Sequence, residues 1–233
     1  MDGSYKATLV FLHGWCCQPS DFKAQIDFFS KNNFIVAPNY SEIILEGKNT
    51  LGQVVVYLYD ELSKYKNIII VGHSMGGFLA LKLAQTDLDI KKVIAIDTTL
   101  KLRLTPGEKN FLEALDSKYG LEILVDYIDN YVIDKHFDNY DLMQNKTQQM
   151  LSYWQRQPKS FNKVLREAFY FDKRSLFFKL NIDFLYIASA LPRAPKEELI
   201  SLFFKTKYDQ ISTGHFIMLN AVDKNNTLIE EFL

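Results

Sequence analysis

Short apolar runs alternate along the chain with segments of helical spacing. Five runs predict strands, and the last three are almost continuously apolar: ATLVFL, NFIVAP, NIIIVG, KKVIAID and IDFLYIASA. Continuous apolar runs are typical of strands that helices cover on both faces. Between the strands, QPSDFKAQIDFFSKN and TLGQVVVYLYDELSKY place apolar residues at helical intervals. The alternation predicts βαβ units and a mostly parallel sheet.

The stretch from about residue 100 to residue 180 follows a different pattern. Strand signals disappear there, and the spacing of apolar residues predicts several helices. We interpret this stretch as a helical cap inserted into a single α/β domain that spans residues 1–233. Most of its aromatic side chains are expected to pack among the cap helices, and a few to line a pocket. The aromatic residues concerned are Phe111, Tyr127, Tyr131, Tyr153, Trp154, Phe169, Tyr170 and Phe171.

The charges of the chain are nearly balanced. Its 27 Lys and Arg residues and 28 Asp and Glu residues give a formal net charge of −1, and the basic residues are scattered. This pattern does not favour nucleic acid as a partner. The N-terminal segment MDGSYKATLVFLHGW has no basic stretch before a long apolar run, and no segment reaches the roughly 18 apolar residues of a membrane-spanning helix. We therefore expect a cytoplasmic protein without a membrane span.

The two cysteines, Cys16 and Cys17, are adjacent in the chain. Neighbouring residues rarely form an unstrained disulfide, so both are expected to be reduced thiols. No CxxC pair and no His-rich tract predicts a metal site. The sequence therefore indicates neither a metal nor a cofactor.

One serine stands at the junction of a predicted strand and a predicted helix. In IIIVGHSMGGFLALKLA, the residues Gly72, His73, Ser74, Met75 and Gly76 fit the pattern G-x-S-x-G. A buried strand before this pattern and a helix after it are typical of a nucleophile elbow, in which the residues two before and two after the serine must lack side chains. The start of the helix also favours negative charge that develops nearby. We predict that Ser74 is a nucleophile; the alternative is a structural glycine-rich turn.

Three motifs together resemble the α/β-hydrolase superfamily: VFLHGWCCQPSDF, GHSMGG and STGHF. The resemblance covers almost the whole chain and implies an α/β-hydrolase fold, with a mostly parallel central sheet flanked by helices and a helical cap. In that family the His-Gly loop after an early strand supplies the oxyanion hole, which implies His13, Gly14 and Trp15 here. The backbone N–H groups of Trp15 and Met75 would face the oxyanion. The motifs are also similar to those of small bacterial serine carboxylesterases, such as the pimeloyl-carrier-protein methyl ester esterases.

A serine nucleophile needs a general base, and the chain has four histidines. His13 and His73 belong to the two loops described above, where they are expected to shape the turns. His136 lies in the predicted cap among aspartates and is expected to be solvated. His215 follows the last strand-like run, TKYDQIST, and precedes the final helical segment, where the resemblance places the base. We predict that His215 is the general base.

The acid of the predicted triad departs from the commonest pattern of the family. Most members carry an aspartate after the strand that follows the cap, but here SALPR follows that strand, with no carboxylate before Glu197. A minority of members place the acid after the strand that follows the nucleophile helix, and Asp97 ends that strand in KKVIAID. Its carboxyl end would lie near the nucleophile strand. We predict that Asp97 is the acid; Glu197, Asp209 and a dyad without an acid are the alternatives.

These residues together predict a serine hydrolase that cleaves a carboxylic ester or thioester through an acyl-enzyme. The expected substrate is a small-molecule or carrier-linked acyl ester with sizeable apolar surface. Two other interpretations stay open. One is a cofactor-free dioxygenase or lyase on the same fold, because some such relatives share an HGWC-like loop and the same acid position. The other is a hydrolase-like binding protein without turnover, although intact Ser74 and His215 favour an enzyme.

Overall fold

The structure is a computed structural model that describes residues 5–177, 181–203 and 205–233. Within these residues six strands form one sheet, and every neighbouring pair is parallel. The strands are β1 (Thr8–Leu12), β2 (Phe34–Val36), β3 (Ile68–His73), β4 (Ile90–Ile96), β5 (Asp183–Ala188) and β6 (Thr206–Gln210). Their order across the sheet is β2-β1-β3-β4-β5-β6. The strand order reverses between β1 and β3, and ligands of parallel sheets bind at the carboxyl ends of such strands.

Helices flank this sheet and fill the connections between its strands. They are α1 (Lys23–Phe29), α2 (Tyr40–Leu45), α3 (Leu51–Leu62), α4 (Met75–Leu83), α5 (Pro106–Ala114), α6 (Gly120–Tyr127), α7 (Tyr140–Arg156), α8 (Pro158–Tyr170), α9 (Arg174–Phe177), α10 (Lys196–Leu202), α11 (Ile217–Asn220) and α12 (Val222–Phe232). A 3₁₀ turn, Pro19–Phe22, precedes α1, and a π-helical turn, Ile128–Val132, follows α6. In the described ranges no helix combines the length and the apolar character that crossing a membrane requires.

Helix α4 packs in the centre of the molecule, against β1, β3 and β4. All of its residues are buried except Lys82. A helix that is apolar all round must be covered on every side, which explains why its pattern is so weakly amphipathic. Its tight packing starts at Gly77, where an added Cβ would collide with the Thr98 hydroxyl. The residue before α4, Ser74, is thereby held at the carboxyl end of the sheet.

Helices α5 to α9 lie between β4 and β5, in the stretch predicted as the cap. Side chains tie this stretch to the rest of the chain: the Trp15 indole Nε1 donates to the Phe161 carbonyl at 2.8 Å, and Lys146 Nζ on α7 lies 2.5 Å from Asp21 Oδ2. Both charged side chains are almost fully buried, at 4% and 6% exposed. The predicted end of the cap near Leu180 lies outside the described residues.

The predicted α/β fold class with a parallel sheet is confirmed, and each of the five apolar runs contains a strand, as does the later strand-like run TKYDQIST. The helix predicted in QPSDFKAQIDFFSKN is shorter than the pattern suggested, because Pro19 starts a 3₁₀ turn and α1 begins only at Lys23. The structure adds α2 and α10, which the sequence did not indicate. Each spans two turns or fewer, which is too short for a periodic pattern to become visible.

Candidate active site

The turn between β3 and α4 holds Ser74 in a strained conformation. Its φ of 53° and ψ of −117° lie in a region that typically costs a non-glycine residue about 1–3 kcal/mol. A Cβ on Gly72 would collide with the backbone of Gly76, and a Cβ on Gly76 would collide with the Leu12 carbonyl. The backbone N–H of Ser74 donates to the Ile96 carbonyl at 2.9 Å. The two glycines therefore permit a turn so tight that the serine projects beyond the end of the sheet.

The loop after β1 lies beside this turn and begins with His13 and Gly14. A Cβ on Gly14 would lie only 3.0 Å from Nδ1 of His73, so the loop can approach the turn closely. The backbone N–H groups of Trp15 and Met75 have no hydrogen-bond acceptor in the described part of the chain. Gly14 and Trp15 line the same cavity as Ser74. Unpaired N–H groups placed in this way can stabilise a developing oxyanion.

His13 contributes to the shape of this loop. Its ring is buried and stacks on Tyr40, with 3.9 Å between the ring centroids and an interplanar angle of 13°. His13 Nδ1 donates to the Gly14 carbonyl at 2.9 Å, and the Tyr40 hydroxyl donates to the His13 carbonyl. Burial lowers the pKa of His13 to about 4. The imidazole is therefore neutral at neutral pH and acts here as a donor to the loop backbone.

His215 and Asp97 are hydrogen-bonded at the same edge of the sheet. His215 Nδ1 lies 2.7 Å from Oδ2 of Asp97, whose side chain is fully buried. Because a carboxylate only accepts, Nδ1 carries the proton and Nε2 is left to accept one. Burial lowers the pKa of His215, whereas the hydrogen bond to Asp97 raises it. The positive charge of Arg193 also lowers this pKa, and the net shift is downward. The imidazole is therefore in the neutral state that a general base needs.

Ser74 and His215 line one cavity, but no hydrogen bond joins Ser74 Oγ to His215 in the described part of the chain. Hydrogen bonds between a nucleophile and its base are often long without substrate and tighten when it binds. The structure thus brings all three predicted triad residues to one place, with the acid–base contact formed and the serine–base contact open.

The loop after β5 holds the Asp97 carboxylate. Asp97 Oδ1 accepts hydrogen bonds from the backbone N–H groups of Ser189, at 3.2 Å, and Arg193, at 3.4 Å. Arg193 Nε lies 3.8 Å from Oδ2. This is the loop in which most members of the resembling family carry their acid. In this chain the loop donates to Asp97, which follows β4, and the sequence analysis did not identify Arg193 as part of the site.

His73 supports the base through its main chain. Its Nε2 lies 3.0 Å from the carbonyl oxygen of His215 and donates to it, and the two rings are 4.5 Å apart. Burial holds the pKa of His73 well below its ordinary value, and the neighbouring His215 lowers this pKa by a smaller amount. A neutral His73 therefore fixes the backbone of His215. This contact joins residues 142 positions apart, and no local pattern could have indicated it.

Asp138, in the predicted cap, binds the loop that carries His215. Its Oδ1 accepts hydrogen bonds from the Thr213 hydroxyl at 2.9 Å and from the Gly214 backbone N–H at 2.8 Å. A Cβ on Gly214 would collide with this carboxylate. The backbone N–H of His215 in turn donates to the carbonyl of Val132, at 3.1 Å. The position of His215 therefore depends on contacts with the predicted cap, which the sequence analysis did not foresee.

Three cavities lie beside these residues in the described part of the chain, and one of them, of about 250 Å³, is lined by Gly214, His215 and Arg193 among others. The one lined by Ser74 and His215 has a volume of about 50 Å³, well below the roughly 300–1,000 Å³ that is typical of ligand sites. A second cavity of about 570 Å³ shares Phe111, Tyr127 and Arg193 with the first. The residues that the cap stretch contributes to the small cavity are apolar or aromatic: Phe111, Leu124, Tyr127, Ile128, Val132, Met150, Leu165 and Phe169. Three of the aromatic residues singled out in the sequence therefore line it.

Of the remaining candidate residues of the sequence analysis, Cys17 lines the small cavity, whereas His136, Glu197 and Asp209 do not. His136 and Glu197 are exposed, and neither Glu197 nor Asp209 is hydrogen-bonded to the base. Cys16 and Cys17 are buried and unpaired, and burial raises the pKa of Cys17 to about 12. Across the described residues, no cluster of three or more His, Cys, Asp and Glu side chains could hold a metal ion.

The chain belongs to the alpha/beta hydrolase fold family, whose model matches residues 8–170. The glycine-bracketed serine turn, the parallel sheet and the late histidine described above all lie on this fold. Together with the esterases among the similar structures, membership of this family supports a hydrolase activity in general. A comparison with curated protein sequences gives no match.

Solved structures resemble the chain over nearly its whole length. MenH from S. aureus has a TM-score of 0.77 at 20% identity, covering 100% of this chain and 95% of its own. The hydrolase olei00960 from Oleispira antarctica has a TM-score of 0.83 at 16% identity, and the match covers 99% of this chain and 92% of that hydrolase. A thermophilic esterase from Thermogutta terrifontis has a TM-score of 0.76 at 17% identity, and the match covers 98% of this chain and 90% of that esterase. Identities this low establish the fold and leave the substrate open.

Proposed function

We propose that the protein is a serine hydrolase that cleaves a carboxylic ester or thioester through an acyl-enzyme on Ser74. The observation that carries the proposal is the meeting of three features at one edge of the sheet. Ser74 stands on a strained turn, His215 is hydrogen-bonded to the buried Asp97, and the N–H groups of Trp15 and Met75 find no acceptor among the described residues. Each feature matches one requirement of acyl transfer: a nucleophile, an oriented base and an oxyanion site.

In the first half of the reaction, Ser74 Oγ bonds to the carbonyl carbon of the substrate. The hydroxyl proton passes to His215 Nε2, the nitrogen that the Asp97 contact leaves free. Negative charge develops on the carbonyl oxygen and is stabilised by the N–H groups of Trp15 and Met75. A donor in this role is typically worth about 10²–10³ in rate. The bond to the leaving group then breaks, and the leaving group takes the proton from His215.

In the second half, water replaces the leaving group. His215 Nε2 accepts a proton from water as the water oxygen attacks the acyl carbon, and the proton returns to Ser74 Oγ when the acid product departs. Asp97 keeps the imidazole in one tautomer and stabilises the imidazolium in each half. The atoms balance without a cofactor, since ester and water give acid and alcohol, or thioester and water give acid and thiol.

The shape of the site favours an apolar acyl group of limited length. The small cavity has mostly apolar walls, and the cavities of about 570 Å³ and 250 Å³ beside it could accept a bulkier part of the substrate. We expect the p-nitrophenyl esters of butyrate and octanoate to be hydrolysed faster than the palmitate ester. Faster turnover of palmitate would contradict this size limit.

Labelling with a fluorophosphonate, followed by peptide mapping, tests the proposal. The reagent should modify Ser74, and Ser74→Ala should abolish the modification. Ser201→Ala is a matched control, because Ser201 is an exposed serine on α10, and labelling should be retained. Absence of labelling in the folded wild-type protein would favour a binding protein without turnover. Labelling at Ser74 without hydrolysis of any ester or thioester in a panel would favour the dioxygenase or lyase alternative.

A further inference from the structure

The loop after β5 places a cation beside the acid of the proposed triad. Arg193 is mostly buried, with 16% of its side chain exposed, and its Nε lies 3.8 Å from Asp97 Oδ2. The same oxygen accepts the hydrogen bond from His215 Nδ1 at 2.7 Å. The backbone N–H of Arg193 donates to the other carboxylate oxygen, Oδ1, at 3.4 Å. One residue therefore acts on Asp97 both through its charge and through its main chain.

The guanidinium is held in this place by the predicted cap. Arg193 Nη1 donates to the Tyr127 hydroxyl at 2.9 Å, and Nη2 donates to the Tyr131 carbonyl. The Tyr127 ring stacks on Phe111, with 4.0 Å between centroids, and on Tyr131, with 5.6 Å. A planar guanidinium with several fixed partners keeps its orientation, which a lysine ammonium would do less well. The cation next to Asp97 is therefore part of a built arrangement.

We propose that Arg193 is a positioning residue for the base: it fixes the Asp97 carboxylate and offsets part of the negative charge that Asp97 presents to His215. The inference rests on the proposed function, because it assigns Arg193 a role in the same site. Arg193 does not act on the substrate in this account. It acts through Asp97, and its effect is a change in the pKa of the His215 imidazole.

The physical consequence follows from the sign of each charge. A carboxylate beside an imidazole favours the imidazolium, and a cation beside that carboxylate opposes it. Burial has the largest effect and lowers the pKa of His215, while the hydrogen bond to Asp97 raises it. The charge of Arg193 lowers this pKa further. With Arg193 present, the imidazole stays neutral and able to accept the serine proton at a lower pH than it otherwise would.

Other groups also face His215 and remain constant in a test that changes only Arg193. Asp138, hydrogen-bonded to the Gly214 N–H, raises the pKa of His215. His73 is neutral and contacts the ring of His215. Lys146 lies 5.4 Å from the ring centre of Phe216, the next residue along the chain.

The test is the pH dependence of the rate at which a fluorophosphonate labels Ser74, compared for the wild type, Arg193→Gln and Arg193→Lys. Loss of the charge should move the acid limb of the profile to higher pH, so that labelling of Arg193→Gln at pH about 6 falls by about threefold or more relative to its own plateau. Arg193→Lys keeps a positive charge and should restore most of the wild-type profile. Arg156→Gln removes an equal charge from an exposed ion pair with Glu42 and should leave the limb unmoved.

An acid limb of Arg193→Gln that coincides with that of the wild type would overturn the inference, even if its plateau rate is lower, because a purely structural role lowers the rate at every pH. A wild-type protein that is not labelled at Ser74 would instead overturn the proposed function, and this inference with it. If Arg193→Gln does not fold, Arg193→Met takes its place. Its unbranched apolar chain preserves the packing against Tyr127, and the same two outcomes decide.

Discussion

Ser74 and Asp97 occupy equivalent positions at the ends of two neighbouring strands. His73, the last residue of β3, pairs in register with Ile96, the last residue of β4, so the next residue of each strand leaves the sheet at the same level. Both residues have a positive φ, 53° for Ser74 and 43° for Asp97. Such values are rare outside glycine and concentrate at functional sites. The sheet thus places the proposed nucleophile and the proposed acid side by side, and only the proposed base comes from elsewhere.

Replacement of Asp97 by asparagine tests whether this acid orients the base. We expect Asp97→Asn to fold, because an amide can still accept from the Ser189 and Arg193 N–H groups. We expect kcat to fall by about 10⁴, since the imidazole tautomer is no longer held, with little change in KM. Steady-state kinetics on a p-nitrophenyl ester measures both constants.

The controls for Asp97 are the two carboxylates that the sequence left open. Glu197→Gln and Asp209→Asn should each change kcat by less than about twofold, because neither residue is hydrogen-bonded to His215. Near-normal turnover of Asp97→Asn with an unchanged melting temperature would show that the acid assignment is wrong. The search would then return to these two residues.

Gly214 should tolerate no side chain, because the Asp138 carboxylate occupies the space where a Cβ would lie. Gly214→Ala would push apart the loop that carries His215 and the segment that carries Asp138. Displacement of a reacting group by about 1 Å can cost about 10² in rate, so we expect a loss of that order in kcat.

Gly52→Ala is the matched control for Gly214→Ala. Gly52 lies in α3, and nothing lies within 4 Å of a Cβ added there. Gly52→Ala should raise the free energy of unfolding by about 0.5–1 kcal/mol, because alanine is the better helix former. It should leave kcat unchanged. Equal kcat values for the two alanine variants would contradict the proposed link between Asp138 and the base.

The ion pair between Lys146 and Asp21 joins the predicted cap to the turn before α1 in an almost fully buried place. Removal of one partner leaves a buried charge unpaired, which typically costs about 3–5 kcal/mol. We expect Lys146→Met to lower the free energy of unfolding by about this amount. The double variant Asp21→Asn with Lys146→Met should lose less free energy of unfolding than the two single variants lose together. Urea unfolding of all four proteins measures the coupling, and additive losses would mean that the pair makes no net interaction.

His13 makes the stability of the protein dependent on pH. In the folded state its pKa is lowered to about 4 from an ordinary 6.5, so between these values the unfolded chain binds a proton that the folded chain does not. Stability therefore falls as the pH decreases from about 6.5 to about 4, by about 1.4 kcal/mol per pH unit for one such group. His13→Gln should remove this contribution. Urea unfolding at several pH values compares the two slopes, and identical slopes would show that folded His13 is protonated in this range.

Local patterns in the sequence predicted the parts of the site that a few neighbouring residues determine. The turn around Ser74 was predictable because its two glycines and the flanking strand and helix are contiguous. The place of Asp97 at the end of a strand was predictable from the apolar run before it, while its assignment as the acid came from the resemblance to the family. The structure agrees with both placements, while the catalytic roles stay predictions.

The supporting contacts could not be predicted, because they join residues far apart in the chain through side chains without a periodic pattern. Arg193 reaches Asp97 across 96 positions, and Trp15 reaches the carbonyl of Phe161 across 146 positions. Asp138 lies in an irregular segment between the π-helical turn and α7. Such contacts depend on the packing of the predicted cap against the rest of the chain, and hydrophobic spacing does not encode that geometry.

Detection of the acyl-enzyme tests the central claim most directly. The protein is mixed with p-nitrophenyl butyrate, quenched in acid within the first turnovers, digested, and examined by peptide mass spectrometry. The account predicts a butyryl group on the peptide that contains Ser74. The species should be absent in Ser74→Ala. Ester turnover that persists in Ser74→Ala, with no acyl group on the Ser74 peptide of the wild type, would contradict the account.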